Sequence, residues 1–221
     1  MAKKDWLFWV TVTAILGLIT WGILALSSQD NNAPQKTQDI LNIKNNDWTK
    51  GNQQARNIIV EYSDFACPYC QLSNFYMQRL LASPEFSPQL MVVYRHFPIP
   101  NHPNSLLAAY ASEAAGQQNK FWEMHDLLFA KQAEWSNQAQ ADAQKTFITY
   151  AQGLNLDTQQ FTNDLNNQDV KNRVTSDISD GDQGRLNITY TPTIYLNGKI
   201  IELQESYDKF EQYFRQQLSA N

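Results

Sequence analysis

Hydrophobic and polar positions divide the chain into three regimes. Trp6 to Leu26, "WLFWVTVTAILGLITWGILAL", is an apolar run without a single charge. Residues 27–50 are polar, beginning "SSQDNNAPQKTQD". Beyond them, short segments alternate between strand and helix periodicity. The first run has the roughly 20 residues that a helix needs to cross a bilayer core. Lys3 and Lys4 before it and a polar stretch after it predict a cytoplasmic N-terminus and an exported remainder, with Trp6 and Trp9 at the interface. A cleaved signal peptide is the alternative, but Ala25-Leu26-Ser27 is only weakly like a cleavage site, and a signal core has ~7–15 apolar residues. Both readings export the domain. No cysteine stands directly after the run, so a lipoprotein is excluded. The expected organisation is a membrane anchor over 1–26, a flexible tether over 27–50 and a folded domain over 51–221.

Within that domain "NIIVEYSDF" (57–65) is nearly continuous in apolar and β-favouring residues, as a central strand covered on both faces should be. "CPYCQLSNFYMQRLLAS" carries Leu72, Phe75, Tyr76, Arg79 and Leu80 at helical spacing and is closed by Pro84. "LMVVYRHF" (90–97) is a second strand, completing a βαβ unit. The next eighty residues are helical in pattern: "SLLAAYASEAA", "KFWEMHDLLFAKQ" and "AQKTFITYAQGL", then "TQQFTNDLNN" capped by Asp157, and "QDVKNRVTSDISDGDQG". "TPTIYLNGKIIEL" holds two short strands around Asn197-Gly198, a strong hairpin signal. "SYDKFEQYFRQQL" is a last helix with Tyr207, Phe210, Tyr213, Phe214 and Leu218 on one side. The class is α/β, in the order βαβ, a helical block over about 103–184, then ββα.

The chain's 221 residues are enough to bury a core without disulfide staples. Its net charge is −5, or about −6 once Lys3, Lys4 and Asp5 are set aside, which argues against nucleic acid as a partner.

The chain's two cysteines stand together as Cys67-Pro68-Tyr69-Cys70, where a strand gives way to a helix. Free N–H groups and the dipole at a helix N-terminus stabilise a thiolate, so Cys67 is the expected nucleophile. Pro68 suits the first turn. Cys70 is placed to reach back and resolve a mixed disulfide, giving the redox pair Cys67–Cys70. Glu61 interrupts the apolar strand six residues before Cys67. A carboxylate buried there has a raised pKa and can accept the proton that Cys70 loses; a place on an edge strand is the alternative. Asp64 reads as a loop acid or cap. Thr191-Pro192-Thr193 precedes the hairpin, and Tyr69 with Phe65 suggests an apolar patch for unfolded clients.

A metal site is the rival of another class. It would join Cys67 and Cys70 to two of His96, His102 and His125 for zinc, or use the thiols alone for copper. His96 and His102 are separated by five residues but straddle two prolines, which does not suit the fixed geometry of a closed zinc site. Asp177, Asp180 and Asp182 do not match a calcium loop. A structural disulfide across so short a loop removes little unfolded-state entropy.

"GNQQARNIIVEYSDFACPYC", "VVYRHFPIPNHPNSLLAAYASEAA", "KFWEMHDLLFAKQAEW" and "YTPTIYLNGK" together resemble the DsbA-like branch of the thioredoxin superfamily over about residues 50–215. The resemblance implies a thioredoxin fold with a helical domain inserted between its second and third strands, here behind one transmembrane helix. It implies that Pro192 is cis and faces the cysteines, that Thr191 lends its backbone to a bound client beside Pro68 and Tyr69, and that Glu61 is the family's buried acid. It implies a disulfide donor to cysteine-containing exported proteins, recharged by a membrane or extracellular thiol oxidase, with no organic cofactor. Pro68-Tyr69 departs from the Pro-His of the best-known member, whose histidine stabilises the thiolate as a cation. A reductase or isomerase with the same residues is therefore the alternative.

Overall fold

The computed structural model of the chain describes residues 13, 15–18, 20–21, 40–182 and 186–219. Most of the expected membrane helix, the tether up to Asp39 and residues 183–184 at the end of the expected insertion lie outside the described residues. Those described between Thr13 and Trp21 are helical, and Thr20 Oγ1 donates to the Leu16 carbonyl at 2.9 Å. Among the described residues no helix is long and apolar enough to cross a membrane.

Ile40–Asn221 forms one compact unit built on a five-stranded sheet. The strands are β1 (Trp48–Gly51), β2 (Asn57–Ser63), β3 (Leu90–His96), β4 (Thr193–Leu196) and β5 (Lys199–Ile201), in the order β1-β3-β2-β4-β5. β2 and β3 run parallel, with Asn57 opposite Leu90 and Ser63 opposite His96; the other pairings are antiparallel. All seven residues of β3 are buried, Arg95 and His96 included, which explains the apolar run from Leu90 to Tyr94. On β2 the alternation still sorts the faces. Ile59 packs with Tyr76, Leu80, Phe210 and Phe214 on one side, while Val60 and Tyr62 meet Met91, Val93 and Tyr195 on the other.

The helices are α1 (Pro68–Ala82), α2 (Ser105–Gly116), α3 (Phe121–Ala130), α4 (Gln132–Trp135), α5 (Gln140–Gly153), α6 (Thr158–Asp164), α7 (Gln168–Asp182) and α8 (Tyr207–Ser219). α2 to α6 enclose a second core of small and aromatic residues, Ala108, Ala111 and Ala115 against Phe121, Leu128, Trp135 and Phe147. Asp157 caps α6, accepting from the Gln160 N–H at 2.9 Å. Asn197 (φ 51°) and Gly198 (φ 81°) turn the β4–β5 hairpin, and Asn197 Oδ1 accepts from the Ile58 N–H at 2.9 Å, tying it to β2.

The expected tether over 27–50 is too long at its C-terminal end. Ile40 is buried, and Trp48–Gly51 forms an edge strand on β3. Trp48 stacks on Phe121 with ring centroids 4.2 Å apart and donates from Nε1 to Glu113 at 2.8 Å. Asp47 is buried in an ion pair with Arg95 at 2.8 Å. Four residues with two polar members show no periodicity of their own; only the partners on β3, α2 and α3 make "WTKG" a strand.

Candidate active site

Cys67 is the N-cap of α1 and Pro68 its first residue. The N–H groups of Cys70 and Gln71 both donate to the Cys67 carbonyl at 3.1 Å, starting the helix beneath the first thiol. Both thiols are free and buried, Cys67 at 4% exposure and Cys70 at 0%. The Thr191–Pro192 bond is cis, and the Thr191 carbonyl accepts from the Cys67 thiol at 3.4 Å. Chain segments more than 120 residues apart thus meet at one sulfur. The Thr191 hydroxyl is buried beside them, placed to donate to the sulfur once Cys67 is ionised.

The two sulfurs are electrostatically unlike. The Cys67 pKa falls from an ordinary 9 to about 6. A hydrogen bond from the Cys70 thiol is the main cause, aided by the N–H groups of Cys70 and Tyr69 and by Thr191, against burial. Cys70 moves the other way, pushed up by burial and by holding its proton against the Cys67 charge. The stabilisation expected from the helix end is therefore carried by the pair itself and by first-turn N–H groups.

Glu61 sits on the central strand β2, not at an edge, and is 4% exposed. It accepts from Ser63 Oγ at 2.8 Å and from Ser73 Oγ, on α1, at 3.0 Å. Burial raises its pKa from 4.5 to about 7 despite those two hydrogen bonds, and the Cys67 charge adds to the rise.

Asp64 does more than cap a loop. Its buried carboxylate accepts from the Ala66 N–H at 2.8 Å, from the Ile99 N–H at 3.0 Å and from Ser105 Oγ, and pairs with His102 Nδ1 at 2.6 Å. Its backbone N–H meets Cys70 Sγ at 3.4 Å and its carbonyl accepts from the Cys67 N–H at 3.1 Å. One residue therefore places both cysteines. Gln132 of α4 donates from Nε2 to the carbonyls of Phe65 (2.7 Å) and Cys67 (3.0 Å), pinning the same loop from the helical side. Nothing in the sequence marks that glutamine.

Phe65 is not part of an exposed patch. It is 1% exposed, with its ring 5.4 Å from Tyr94 and 4.9 Å from Phe129. Tyr69, at 68%, does project beside the pair, and Pro68 is exposed with it. The histidines are engaged away from the thiols. His96 Nε2 pairs with Glu113 at 2.8 Å, His102 with Asp64, and His125 Nδ1 with Asp126 at 2.9 Å. Among the described residues no cluster of three or more His, Cys, Asp or Glu is placed to hold a metal ion. Asp177 bonds Arg173 and the His96 N–H, and Asp180 pairs with Lys44.

The family model described as Thioredoxin matches residues 44–215. Among solved structures, a thioredoxin-like oxidoreductase from Silicibacter pomeroyi DSS-3 is 23% identical, with a TM-score of 0.65 over 83% of this chain and 98% of that one. The alpha-DsbA1 of Wolbachia pipientis is 18% identical, with a TM-score of 0.68 over 84% of this chain and 100% of that one. A protein named Na(+)/H(+) antiporter NhaA 1 from Salinispora arenicola is 37% identical over 154 residues, 69% of this chain and 22% of its own length. The chain spans less than a quarter of that relative. It belongs to the thioredoxin family. Two free thiols of opposite acidity at the N-terminus of α1 give it the chemistry of thiol–disulfide exchange.

Proposed function

We propose that this chain donates its Cys67–Cys70 disulfide to cysteine-containing proteins outside the cytoplasm, held at the membrane by residues 6–26. The single observation that carries the donor reading is the split between an acidic Cys67 and a Cys70 that keeps its proton. A fold that stabilises the thiolate stabilises the reduced pair, and so makes the disulfide a stronger oxidant.

A client thiolate attacks Cys67 Sγ, the Cys67–Cys70 bond breaks, and Cys70 leaves with the electron pair. Glu61, protonated in a large fraction near pH 7, supplies the proton that neutralises Cys70. A second client thiol then attacks the client sulfur of the mixed disulfide and Cys67 leaves as the favoured thiolate. The client loses two electrons and the pair gains them. The Thr191 backbone and the exposed Tyr69 flank the sulfur where a client would lie. A thiol oxidase of the membrane or the extracellular space must recharge the pair. The anchor and the outward orientation rest on the uncharged run and the lysines before it. Antiport is not proposed for a chain that matches so small a part of the antiporters. A reductase is the second reading, favoured by Tyr69 standing where a cation would strengthen the thiolate.

Cys70→Ser tests the roles. It should trap clients on Cys67, whereas Cys67→Ser should trap none; equal trapping by both variants contradicts the assignment.

A further inference from the structure

Each half-cycle moves a proton between Cys70 and Glu61, so Glu61 must exchange one with solvent. Its hydrogen-bond partners, Ser63 and Ser73, are buried and offer no exit. On its far side, however, Glu61 lines a small cavity whose other walls include Tyr94, Trp122, His125, Lys50 and the exposed Gln78. The cavity measures about 20 Å³, room for one water molecule. Tyr94, whose buried hydroxyl makes no well-formed hydrogen bond although Ser63 lies beside it, is another wall of the cavity. A water in the cavity would give that hydroxyl a partner.

His125 leads outward. Its ring is packed among Phe65, Tyr94, Trp122 and Phe129, with Tyr94 4.7 Å away and nearly perpendicular. Nδ1 is taken by Asp126 Oδ1 at 2.9 Å, leaving Nε2 for the cavity. Asp126 Oδ2 pairs with Lys50 Nζ at 3.0 Å, and both side chains are 35% exposed. The charged and titratable groups around the imidazole are thus Glu61, Asp126, Lys50, Tyr94 and His96.

We propose that His125 is the proton port of Glu61, linking it to solvent through one cavity water and Asp126. Protonated Glu61 gives its proton to the water as the water gives one to Nε2. Nδ1 releases its own proton to the Asp126 carboxylate, where bulk water collects it. Glu61 ends ionised, the cavity water is unchanged, and the imidazole has exchanged one tautomer for the other. The opposite half-cycle runs the path backwards and restores the first tautomer. Burial lowers the His125 pKa, so the ring passes the proton on instead of storing it. Lys50 keeps Asp126 oriented. The port presupposes the proton exchange proposed above for Glu61, and it acts on the pair only through that residue.

The test uses the full chain, reduced and mixed rapidly with glutathione disulfide. Acid quench and mass analysis follow the lifetime of the Cys67–glutathione mixed disulfide, which ends when Cys70 loses its proton and attacks. Glu61→Gln and His125→Phe should each prolong that lifetime about tenfold or more, and the double variant should be no slower than Glu61→Gln alone. Asp126→Asn, at a half-exposed position, should slow the step in the same Glu61-dependent way. Added imidazole should restore the rate of His125→Ala, which a loss of packing alone would not allow. Iodoacetamide alkylation of Cys67, which needs no port, should keep its rate in His125→Phe and Asp126→Asn where they have kept their fold. A normal lifetime in His125→Phe, or full multiplication of the two effects in the double variant, overturns the port while leaving Glu61 in place. A normal lifetime in Glu61→Gln overturns the underlying role and the port with it.

Discussion

Glu61→Gln should make the protein more stable at alkaline pH and leave it nearly unchanged in acid. The native carboxyl has its pKa raised from 4.5 to about 7 by burial. Between those values the folded protein binds more protons than the unfolded chain, so stability falls as pH rises. The penalty is absent below pH 4.5 and complete above about pH 7. At about 1.4 kcal/mol per pH unit, the rise is worth ~3.4 kcal/mol. Glutamine does not titrate, and the Ser63 and Ser73 hydroxyls can rotate to suit its amide. Urea unfolding of both proteins at pH 5 and pH 8, with the cysteine pair oxidised so that neither thiol titrates, isolates the carboxyl. The stability difference between variant and native protein should grow by about 2.5 kcal/mol from pH 5 to pH 8. A constant difference would mean that Glu61 titrates as an exposed acid does, and the burial argument would be refuted.

Two further outcomes follow from the site. Thiolate absorbance or alkylation should titrate Cys67 with a midpoint near pH 6, while Cys70 stays protonated well above it. Because the folded value lies below the unfolded one, the thiolate's contribution to the reduced form is complete above about pH 9 and is lost as pH falls through about 6; a single midpoint near 9 would contradict the unlike pair. Asp64→Asn weakens the pairing with His102 and sets a new donor against the N–H groups of Ala66 and Ile99, which should cost about 2–3 kcal/mol in urea unfolding. Native stability in that variant would show that Asp64 does not place the cysteine loop.

Much of this could be read along the chain because the relevant signals are local. Cys67-Pro68-Tyr69-Cys70 lies at a visible junction of strand and helix, β2 and β3 announce themselves by largely apolar, β-favouring runs, and Asn197-Gly198 marks the hairpin. Glu61 stood out because it breaks such a run. Features made by distant partners were hidden. Trp48–Gly51 is a strand only because β3 and the aromatic ring of Phe121 receive it. Asp64 gains its importance from Ile99, His102 and Ser105, which arrive from a loop some 35 to 41 residues away. Phe65 looked like surface beside the cysteines, yet the inserted helices cover it. Gln132 and His125 carry no spacing signal at all, since their roles depend on how α3 and α4 dock against β2 and β3.

The central claim is a disulfide donor, and the redox potential of the Cys67–Cys70 pair tests it most directly. Equilibration of the chain with defined ratios of reduced and oxidised glutathione, read by alkylation and mass, gives that potential. The account predicts a value well above the ~ −270 mV of thioredoxin and toward the ~ −120 mV of the strongest donor with this fold. A value at or below ~ −270 mV would contradict it and make the protein a reductase.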